Sequence, residues 1–338
     1  MIPKPPRVAH VDSSTLLPFN EYDYIIVAFS GGKDSMACVL HLLDKGVPAE
    51  RIELWHYAID GRPGEAQFFD WPLTESYCAE FARAFGMRLL FHWKERGFLG
   101  EMLRNDQPTA PTTITLGDGA TMTVGGQGPK GKRMAYPQVA ASLSARWCSA
   151  YLKIDVGKKA LANDPRFKAA KILICTGERR QESKNRSLYA RIERDGSTTL
   201  RRRVDQWRPV LDWKEEEVWD IIKRYRVQAH PAYYLGWSRL SCMTCIFGNP
   251  DQWASVRAID PKTFARIHEY EVMFKRNIHR KLSVVELADQ GQPTMPLGSE
   301  ALACLALSQR CPPAYILVPP DQQWVLPSGA YKHSGGPL

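Results

Sequence analysis

The sequence predicts an α/β protein with a doubly wound, mostly parallel sheet, and two features of its first third carry that prediction. Short apolar runs rich in β-branched and aromatic residues occupy 22–29, 52–58 and 87–93, as expected of buried parallel strands. Stretches with helical apolar spacing separate these runs, over 36–43 and 73–85. The resulting β-α-β-α-β order favours parallel strands joined by right-handed crossovers.

Two hairpin insertions and a further core strand complete the predicted sheet. Residues 113–124 alternate around a Gly-Asp-Gly turn and predict a hairpin. Residues 191–204 predict a second hairpin, turning at Asp195 and Gly196. The apolar run at 171–176 predicts a core strand between them.

Helical patterns follow in the second half of the chain. Helices are expected at 138–147 and at 213–225, the latter with Asp212 as its N-cap. Two more are expected at 261–279 and 284–290. These last two predict a smaller, mainly helical C-terminal region.

Composition and patterning divide the chain into three regions and limit its function classes. We expect an N-terminal arm at 1–20, an α/β nucleotide-binding domain at 21–235, and a cysteine-containing, mainly helical region at 236–338. The chain has 338 residues with 44% hydrophobic and 24% charged content, which is ordinary for a globular protein. No apolar run is long enough to span a bilayer and no hydrophobic leader follows Met1, so a cytoplasmic protein without a membrane partner is expected. The net charge of +9 favours polyanionic partners: a nucleotide, a nucleic acid or both.

The loop at 30–35, with the sequence SGGKDS, joins the first predicted strand to the first predicted helix. Its two glycines let the backbone turn sharply and approach an anion closely. The N–H groups and the dipole at the helix start favour negative charge. Ser30 and Ser35 add hydroxyl groups, and Lys33 adds a positive charge. The spacing differs from that of the Walker loop, so the segment predicts another kind of phosphate-binding loop.

A second basic segment follows the core strand that ends near residue 176. Arg179 and Arg186 lie at the sheet edge where doubly wound folds bind ligands, and their guanidinium forks suit phosphate or sulfate oxygens. Glu182 is placed to orient one of them by ion pairing. Arg191, Arg194 and 201–203 extend the positive charge along the second hairpin, where they either contact a nucleic-acid backbone or are solvated surface charges.

The loop and five further motifs resemble the PP-loop superfamily of ATP pyrophosphatases and phosphoadenosine phosphosulfate (PAPS) reductases. The motifs are FSGGKDS at 29–35, Asp60-Gly61, Arg146-Trp147-Cys148 with Lys153, residues 177–183 with Arg186, Pro209 with Asp212-Trp213 and Val218-Trp219, and the block of His230-Pro231, Tyr233, Gly236, Ser238-Arg239, Cys242 and Cys245. The resemblance ends at Cys245. It implies an adenine nucleotide alpha hydrolase-like fold that binds ATP with Mg²⁺.

The resemblance also implies the site residues. Lys33, Asp34 and Arg179 are expected to be catalytic. The expected nucleotide-binding residues are Ser30, Gly31, Gly32, Lys33, Asp34, Ser35, Asp60, Gly177, Arg179, Glu182 and Arg186.

Cys148, Cys242 and Cys245 are the expected metal ligands. A Cys-x-x-Cys pair suits a tetrahedral metal or an iron–sulfur cluster, and it is also common among structural and redox pairs. The cluster-bearing relatives use paired cysteines where this chain has Cys148-Ser149, so three thiolates are accounted for and the fourth position is open. A 4Fe–4S cluster is favoured, with Zn²⁺ or no metal as the alternatives.

Three functions fit these motifs. In the first, the protein uses ATP to adenylate a substrate and releases pyrophosphate. Adenylation prepares sulfur transfer to DNA or tRNA, with a desulfurase as the sulfur donor. For this function the nearest resemblance is to the sulfur-transfer component of DNA phosphorothioation systems. In the second, the chain is a PAPS or APS reductase; those enzymes resemble it in the same motifs but carry a C-terminal cysteine, and no cysteine follows Cys311 here. In the third, it is a non-catalytic nucleotide sensor.

Overall fold

The computed structural model describes residues 16–65, 67–140 and 142–332, and an eight-stranded sheet lies at its centre. The order across the sheet is β5-β4-β3-β2-β1-β6-β8-β7. The strands are β1 (Tyr24–Ala28), β2 (Ile52–Ala58), β3 (Arg88–Lys94), β4 (Thr112–Thr115), β5 (Thr121–Val124), β6 (Lys171–Cys175), β7 (Ile192–Arg194) and β8 (Arg203–Trp207). Most of the predicted arm at 1–20 lies outside the described residues.

Five central strands are parallel, and the chain reverses its direction of winding at β1. β1 pairs in parallel with β2 on one side, where Ile25 faces Ile52, and with β6 on the other, where Ile25 faces Leu173. The interior of β1 is completely buried because helices cover both faces of the sheet. Ligands bind doubly wound sheets at such a switch point, beyond the carboxyl ends of the strands. The topology therefore directs attention to the loops that follow β1 and β6.

Helices cover the sheet and form the C-terminal region. They are α1 (Lys33–Asp44), α2 (Thr74–Ala84), α3 (Gly97–Met102), α4 (Trp147–Ser149), α5 (Asp155–Asn163), α6 (Glu215–Arg224), α7 (Pro231–Tyr234), α8 (Pro250–Ile259), α9 (Pro261–Phe274), α10 (Val284–Asp289) and α11 (Glu300–Ala306). A π-helical turn at Ala150–Ile154 joins α4 to α5. Within the described ranges, no helix is both long and apolar enough to cross a membrane.

The doubly wound, mostly parallel sheet and both hairpins are confirmed. β4 and β5 form the first antiparallel hairpin, and β7 and β8 form the second. The prediction of a helix at 138–147 is wrong, because the regular helix begins only at Trp147. Ser144 donates its backbone N–H to the Ser142 hydroxyl (3.3 Å), a local bond of the kind that competes with helical hydrogen bonding.

Asp212 is not the N-cap of α6. That helix begins at Glu215, where the Glu217 carboxylate accepts the backbone N–H of Lys214 (2.7 Å). Asp212 instead accepts hydrogen bonds from Arg180 and Arg191, whose pull as neighbouring cations outweighs the local preference for capping.

The region after residue 235 is mainly helical among its described residues, and it contains one long helix that the sequence pattern did not indicate. α8 begins with a capping box, in which Asn249 and Gln252 exchange hydrogen bonds with each other's backbone N–H groups. The boundary at 235/236 stays a prediction. Side chains from both sides of it share one hydrophobic cluster, in which the rings of Trp71 and Trp237 meet edge to face at 5.0 Å.

Candidate functional site

The glycine-rich loop lies at the switch point, between the end of β1 and the start of α1. Gly31 adopts a left-handed backbone conformation (φ 72°), which strongly favours glycine. A Cβ atom on Gly31 would approach the Cys78 sulfur to 3.0 Å and the Tyr77 ring to 3.2 Å. Backbone conformation and packing thus both require glycine here.

Hydrogen bonds occupy some of the loop's donors and leave others free. Ser30 N–H donates to the Ser35 hydroxyl (3.3 Å), and Ser35 in turn donates to the Gly32 carbonyl (2.8 Å). Lys33 N–H donates to the Tyr233 hydroxyl (2.9 Å). The N–H groups of Gly31, Asp34 and Ser35 find no acceptor among the described residues. The free donors lie at the N-terminus of α1, where the helix dipole favours an anion.

The three residues expected to be catalytic form one ion-pair network. Arg179 Nε donates to Asp34 Oδ1 (2.5 Å), and Lys33 Nζ lies 3.6 Å from Asp34 Oδ2. Burial by itself would raise the pKa of Asp34, but Lys33 and Arg179 together outweigh burial and hold this pKa below its ordinary value. The carboxylate therefore stays ionised. Lys33 also donates to the Ser238 carbonyl (2.8 Å) and lies 3.5 Å from Glu215. Neither Lys33 nor Arg179 lines the cavity that opens over the loop, so both support the loop from behind.

The second basic segment packs directly against the loop. A Cβ atom on Gly177 would lie 2.8 Å from the carbonyl carbon of Asp34. Glu182 accepts the backbone N–H of Arg179 (2.7 Å) and a guanidinium N–H of Arg186. Gly177, Glu182 and Arg186 line the cavity beside the loop. The predicted role of Glu182 in orienting an arginine agrees with these bonds.

Asp60 has a different place. Its carboxylate accepts the backbone N–H groups of Phe69 and Asp70, at 3.0 and 2.9 Å. It does not line the cavity. Burial raises the pKa of Asp60 despite these bonds. In this structure Asp60 organises the turn after β2, and the turn supplies Asp70 to the cavity wall.

The cavity over the loop has a volume of about 450 Å³, within the range of small-molecule sites. Its carboxylates are engaged or poorly ionised: Glu182 binds Arg186, and burial together with Asp60 raises the pKa of Asp70 to about 7. Three cations on its wall make no ion pair with a carboxylate of the described residues: Arg146, Lys153 and Arg239. Nε of Arg146 is buried without a hydrogen-bond partner. The wall is therefore suited to an anionic ligand larger than the loop alone would hold.

Arg146, Lys153 and Arg239 were absent from the expected site residues. The signal was present, because all three fall within the motifs that carried the resemblance. What the sequence did not show is that segment 238–240 packs on the loop. Leu240 Cβ would lie 3.4 Å from a Cβ atom on Gly32.

The three cysteines expected to bind metal line the same cavity. Burial, then the neighbouring Cys245, raises the pKa of Cys148 to about 11, and burial also raises that of Cys242 well above its ordinary value. In the ranges that the structure describes, no group of three or more His, Cys, Asp or Glu side chains is arranged to hold a metal ion. The thiols thus share a wall with Lys153 without forming a ligand set.

Three of the arginines on the second hairpin are paired with carboxylates. Arg194 and Arg203 both pair with Asp205, at 3.1 and 2.8 Å, and Arg191 pairs with Asp212. Arg202 is buried and donates to backbone carbonyls. These contacts give Arg194, Arg202 and Arg203 a structural role in the hairpin.

Comparison with known families finds one match, over the middle third of this chain. Residues 125–247 match the family described as the phosphoadenosine phosphosulfate reductase domain. The match covers the cysteines and the basic segment, and it starts after the glycine-rich loop.

Curated relatives align over limited stretches. An uncharacterized 37.8 kDa protein of Escherichia phage 186 is 33% identical over 130 residues, which is 38% of each chain. Adenosine 5'-phosphosulfate reductases of Burkholderia cepacia and Allochromatium vinosum are 30% and 29% identical, over 21% and 29% of this chain. The aligned stretches span only 26% and 34% of those two enzymes.

Solved structures are similar at a lower level. A PAPS reductase from Candida auris superposes with a TM-score of 0.36 at 12% identity, covering 66% of this chain and 83% of that chain. FMN adenylyltransferase of Candida glabrata in complex with ATP gives 0.37 at 13% identity, covering 66% and 55%. The domain match and the two reductase relatives show that part of this chain is similar in sequence to PAPS and APS reductases.

Proposed function

We propose that this chain binds ATP with its polyphosphate on the glycine-rich loop and transfers the adenylyl group to a second substrate. A nucleophilic oxygen of that substrate attacks the α-phosphorus, the bridging P–O bond to the β-phosphate breaks, and pyrophosphate leaves. Mg²⁺ bound to the nucleotide would neutralise part of its charge. The chain's own contribution is to hold the phosphates and to stabilise the charge that develops on the leaving group.

The observation that carries the proposal is the set of free donors at the switch point. The N–H groups of Gly31, Asp34 and Ser35 lie where the β1 loop meets α1, and Arg186 stands on the cavity wall beside them. Because these groups are held by the folded backbone, they need little reorganisation to receive a polyphosphate. Arg146 and Arg239 supply further charge along the same cavity.

Reduction of APS or PAPS is the second candidate, and the family comparison favours it. The matched domain is named for PAPS reductase, and two curated relatives are APS reductases. The same cavity suits an adenylyl sulfate, since sulfate and phosphate oxygens accept the same hydrogen bonds.

One experiment separates the two functions. Anaerobically purified protein is incubated with ATP and Mg²⁺, with and without DNA or tRNA, and AMP plus pyrophosphate is resolved from ADP plus phosphate. Parallel reactions supply APS or PAPS with a dithiol reductant and measure sulfite. AMP and pyrophosphate without sulfite support adenylyl transfer. Sulfite without cleavage of ATP at the α-phosphate replaces it with the reductase function, and binding of ATP without either product supports a sensor.

The acceptor, the sulfur donor and the cluster enter the proposal as predictions. Stimulation of AMP formation by DNA or tRNA supports a nucleic-acid acceptor, and stimulation by a cysteine desulfurase with cysteine supports sulfur transfer. An iron–sulfur cluster requires the three thiols to draw together on loading, which iron and acid-labile sulfide analysis of anaerobic protein tests.

A further inference from the structure

The Tyr233 hydroxyl group occupies an unusual place, between the glycine-rich loop and the segment that leads to the cysteine pair. It accepts the backbone N–H of Lys33 (2.9 Å) and the backbone N–H of Leu240 (3.1 Å). The two donors are 200 and 7 residues away in sequence from Tyr233. One phenol oxygen therefore joins two separate parts of the site.

The position of this hydroxyl is fixed by packing. Tyr233 is 1% exposed, and its ring meets Trp219 edge to face at 5.3 Å. It lies in α7, whose start is capped by His230, where Nδ1 accepts the backbone N–H of Ala232 (3.2 Å). Side chain and backbone are thus both held, so the oxygen is preorganised relative to the loop.

Counting hydrogen bonds shows where the phenolic proton is directed. A tyrosine oxygen carries one proton and accepts through its lone pairs. The N–H groups of Lys33 and Leu240 occupy the accepting side, so the proton points away from both. Among the described residues no acceptor receives it. Tyr233 lines the cavity, and a Cβ atom placed on Gly32 would lie 3.5 Å from its oxygen.

We infer that Tyr233 donates its phenolic hydrogen bond to the anionic group bound at the glycine-rich loop, and so acts as an oxyanion donor of this site. The inference rests on the proposed function for the identity of that anion, the polyphosphate of ATP. The Lys33 N–H cannot donate to the anion while it donates to Tyr233, and the phenolic O–H of Tyr233 replaces it as a donor. Burial raises the pKa of Tyr233 more than Lys33 lowers it, so the donor is protonated at neutral pH.

The test uses inorganic pyrophosphate as the probe, because its binding needs no turnover. Isothermal titration of full-length protein compares wild type with Tyr233→Phe. A lost hydrogen bond to a charged group predicts pyrophosphate binding about 10- to 100-fold weaker. Tyr136→Phe is the matched control: Tyr136 is also buried, donates to the Ile267 carbonyl (2.9 Å), and does not line the cavity. The control is expected to bind pyrophosphate like wild type.

A second variant separates donation to the anion from support of the loop. Incorporation of 3,5-difluorotyrosine at position 233 acidifies the phenol while keeping the oxygen in place. At a pH where this phenol stays protonated, it is a stronger hydrogen-bond donor and a weaker acceptor than tyrosine. If Tyr233 donates to the anion, this variant binds pyrophosphate more tightly than wild type. If Tyr233 only accepts from Lys33 and Leu240, the variant binds pyrophosphate equally or more weakly, which overturns the inference.

The outcomes also keep the inference apart from the proposed function. Wild type that binds pyrophosphate through Tyr233 but forms no AMP from ATP supports the inference and refutes adenylyl transfer. Equal pyrophosphate affinity in wild type and Tyr233→Phe refutes the inference, while AMP formation by wild type still supports adenylyl transfer.

Discussion

Substitution of Gly177 by alanine tests whether close contact between the β6 loop and α1 shapes the anion site. A Cβ atom at this position would lie 2.8 Å from the carbonyl carbon of Asp34 and 3.0 Å from the backbone nitrogen of Ser35. Carbon atoms in good contact lie about 3.5–4.0 Å apart, so the two backbones must separate by several tenths of an ångström. Both contacting groups are backbone, which prevents relief by a side-chain rotation.

The expected cost follows from overpacking at a site that cannot relax freely. Insertion of a methyl group into a filled site costs about 1–3 kcal/mol of the free energy of unfolding, or roughly 2–8 °C in Tm. ATP affinity should also fall about tenfold, because the free N–H groups of Asp34 and Ser35 move away from the phosphates. Urea denaturation measures the first effect and calorimetric titration with ATP the second.

Gly196→Ala is the matched control for this substitution. Gly196 lies in the hairpin turn between β7 and β8, and a Cβ atom there meets no atom within 4 Å. We expect its free energy of unfolding to stay within about 0.5 kcal/mol of wild type, with unchanged ATP affinity. A Gly177→Ala protein as stable as the control, with wild-type affinity for ATP, would refute the claim that this contact positions the site.

Three further predictions concern charge and metal. Arg179→Ala removes one of the two cations paired with Asp34, so it should lower the free energy of unfolding by about 3 kcal/mol and weaken ATP binding. Arg180→Ala breaks an exposed ion pair and should lower the free energy of unfolding by under about 1 kcal/mol. Equal losses for the two variants in urea denaturation would contradict this prediction. Because the pKa of Asp70 is raised to about 7, the folded wild type binds one more proton than the unfolded chain between about pH 4 and 7. Asp70→Asn should therefore become more stable relative to wild type as pH rises across that range, and the difference should be constant at higher pH. A difference in stability that does not depend on pH would contradict the raised pKa. Cys242→Ser should lower the iron or zinc content of anaerobic protein without loss of its circular dichroism signal, and equal metal content in both proteins shows that Cys242 is not a ligand.

Local chemistry made much of the fold and the loop predictable. The strands at 52–58 and 171–175 follow from apolar runs whose burial the sequence already encodes. The loop at 30–35 follows from glycine conformation and helix-terminus donors, which act within a few residues. By contrast, the prediction of a helix at 138–147 was wrong, and the Ser142 side chain there accepts a local backbone N–H.

The cations of the cavity show why the rest of the site was not predictable. Arg146 and Arg239 fall within the motifs that carry the resemblance, but residue type and spacing alone do not separate a ligand-binding arginine from a surface one. Their value comes from lining one cavity without a carboxylate partner among the residues that the structure describes. The hairpin arginines, for example Arg194 and Arg203, look equally basic in sequence, yet both are paired with Asp205.

By itself, the sequence determined the class of fold, the place of the glycine-rich loop and the motifs that surround it, because these depend on residues close together along the chain. Only the tertiary structure decided that the Lys33 amine faces Ser238 and Glu215, away from the cavity, and that Tyr233 takes the Lys33 N–H. Those partners lie about two hundred residues from Lys33. Contacts over such separations are set by how helices and strands pack, which neither residue spacing nor composition encodes.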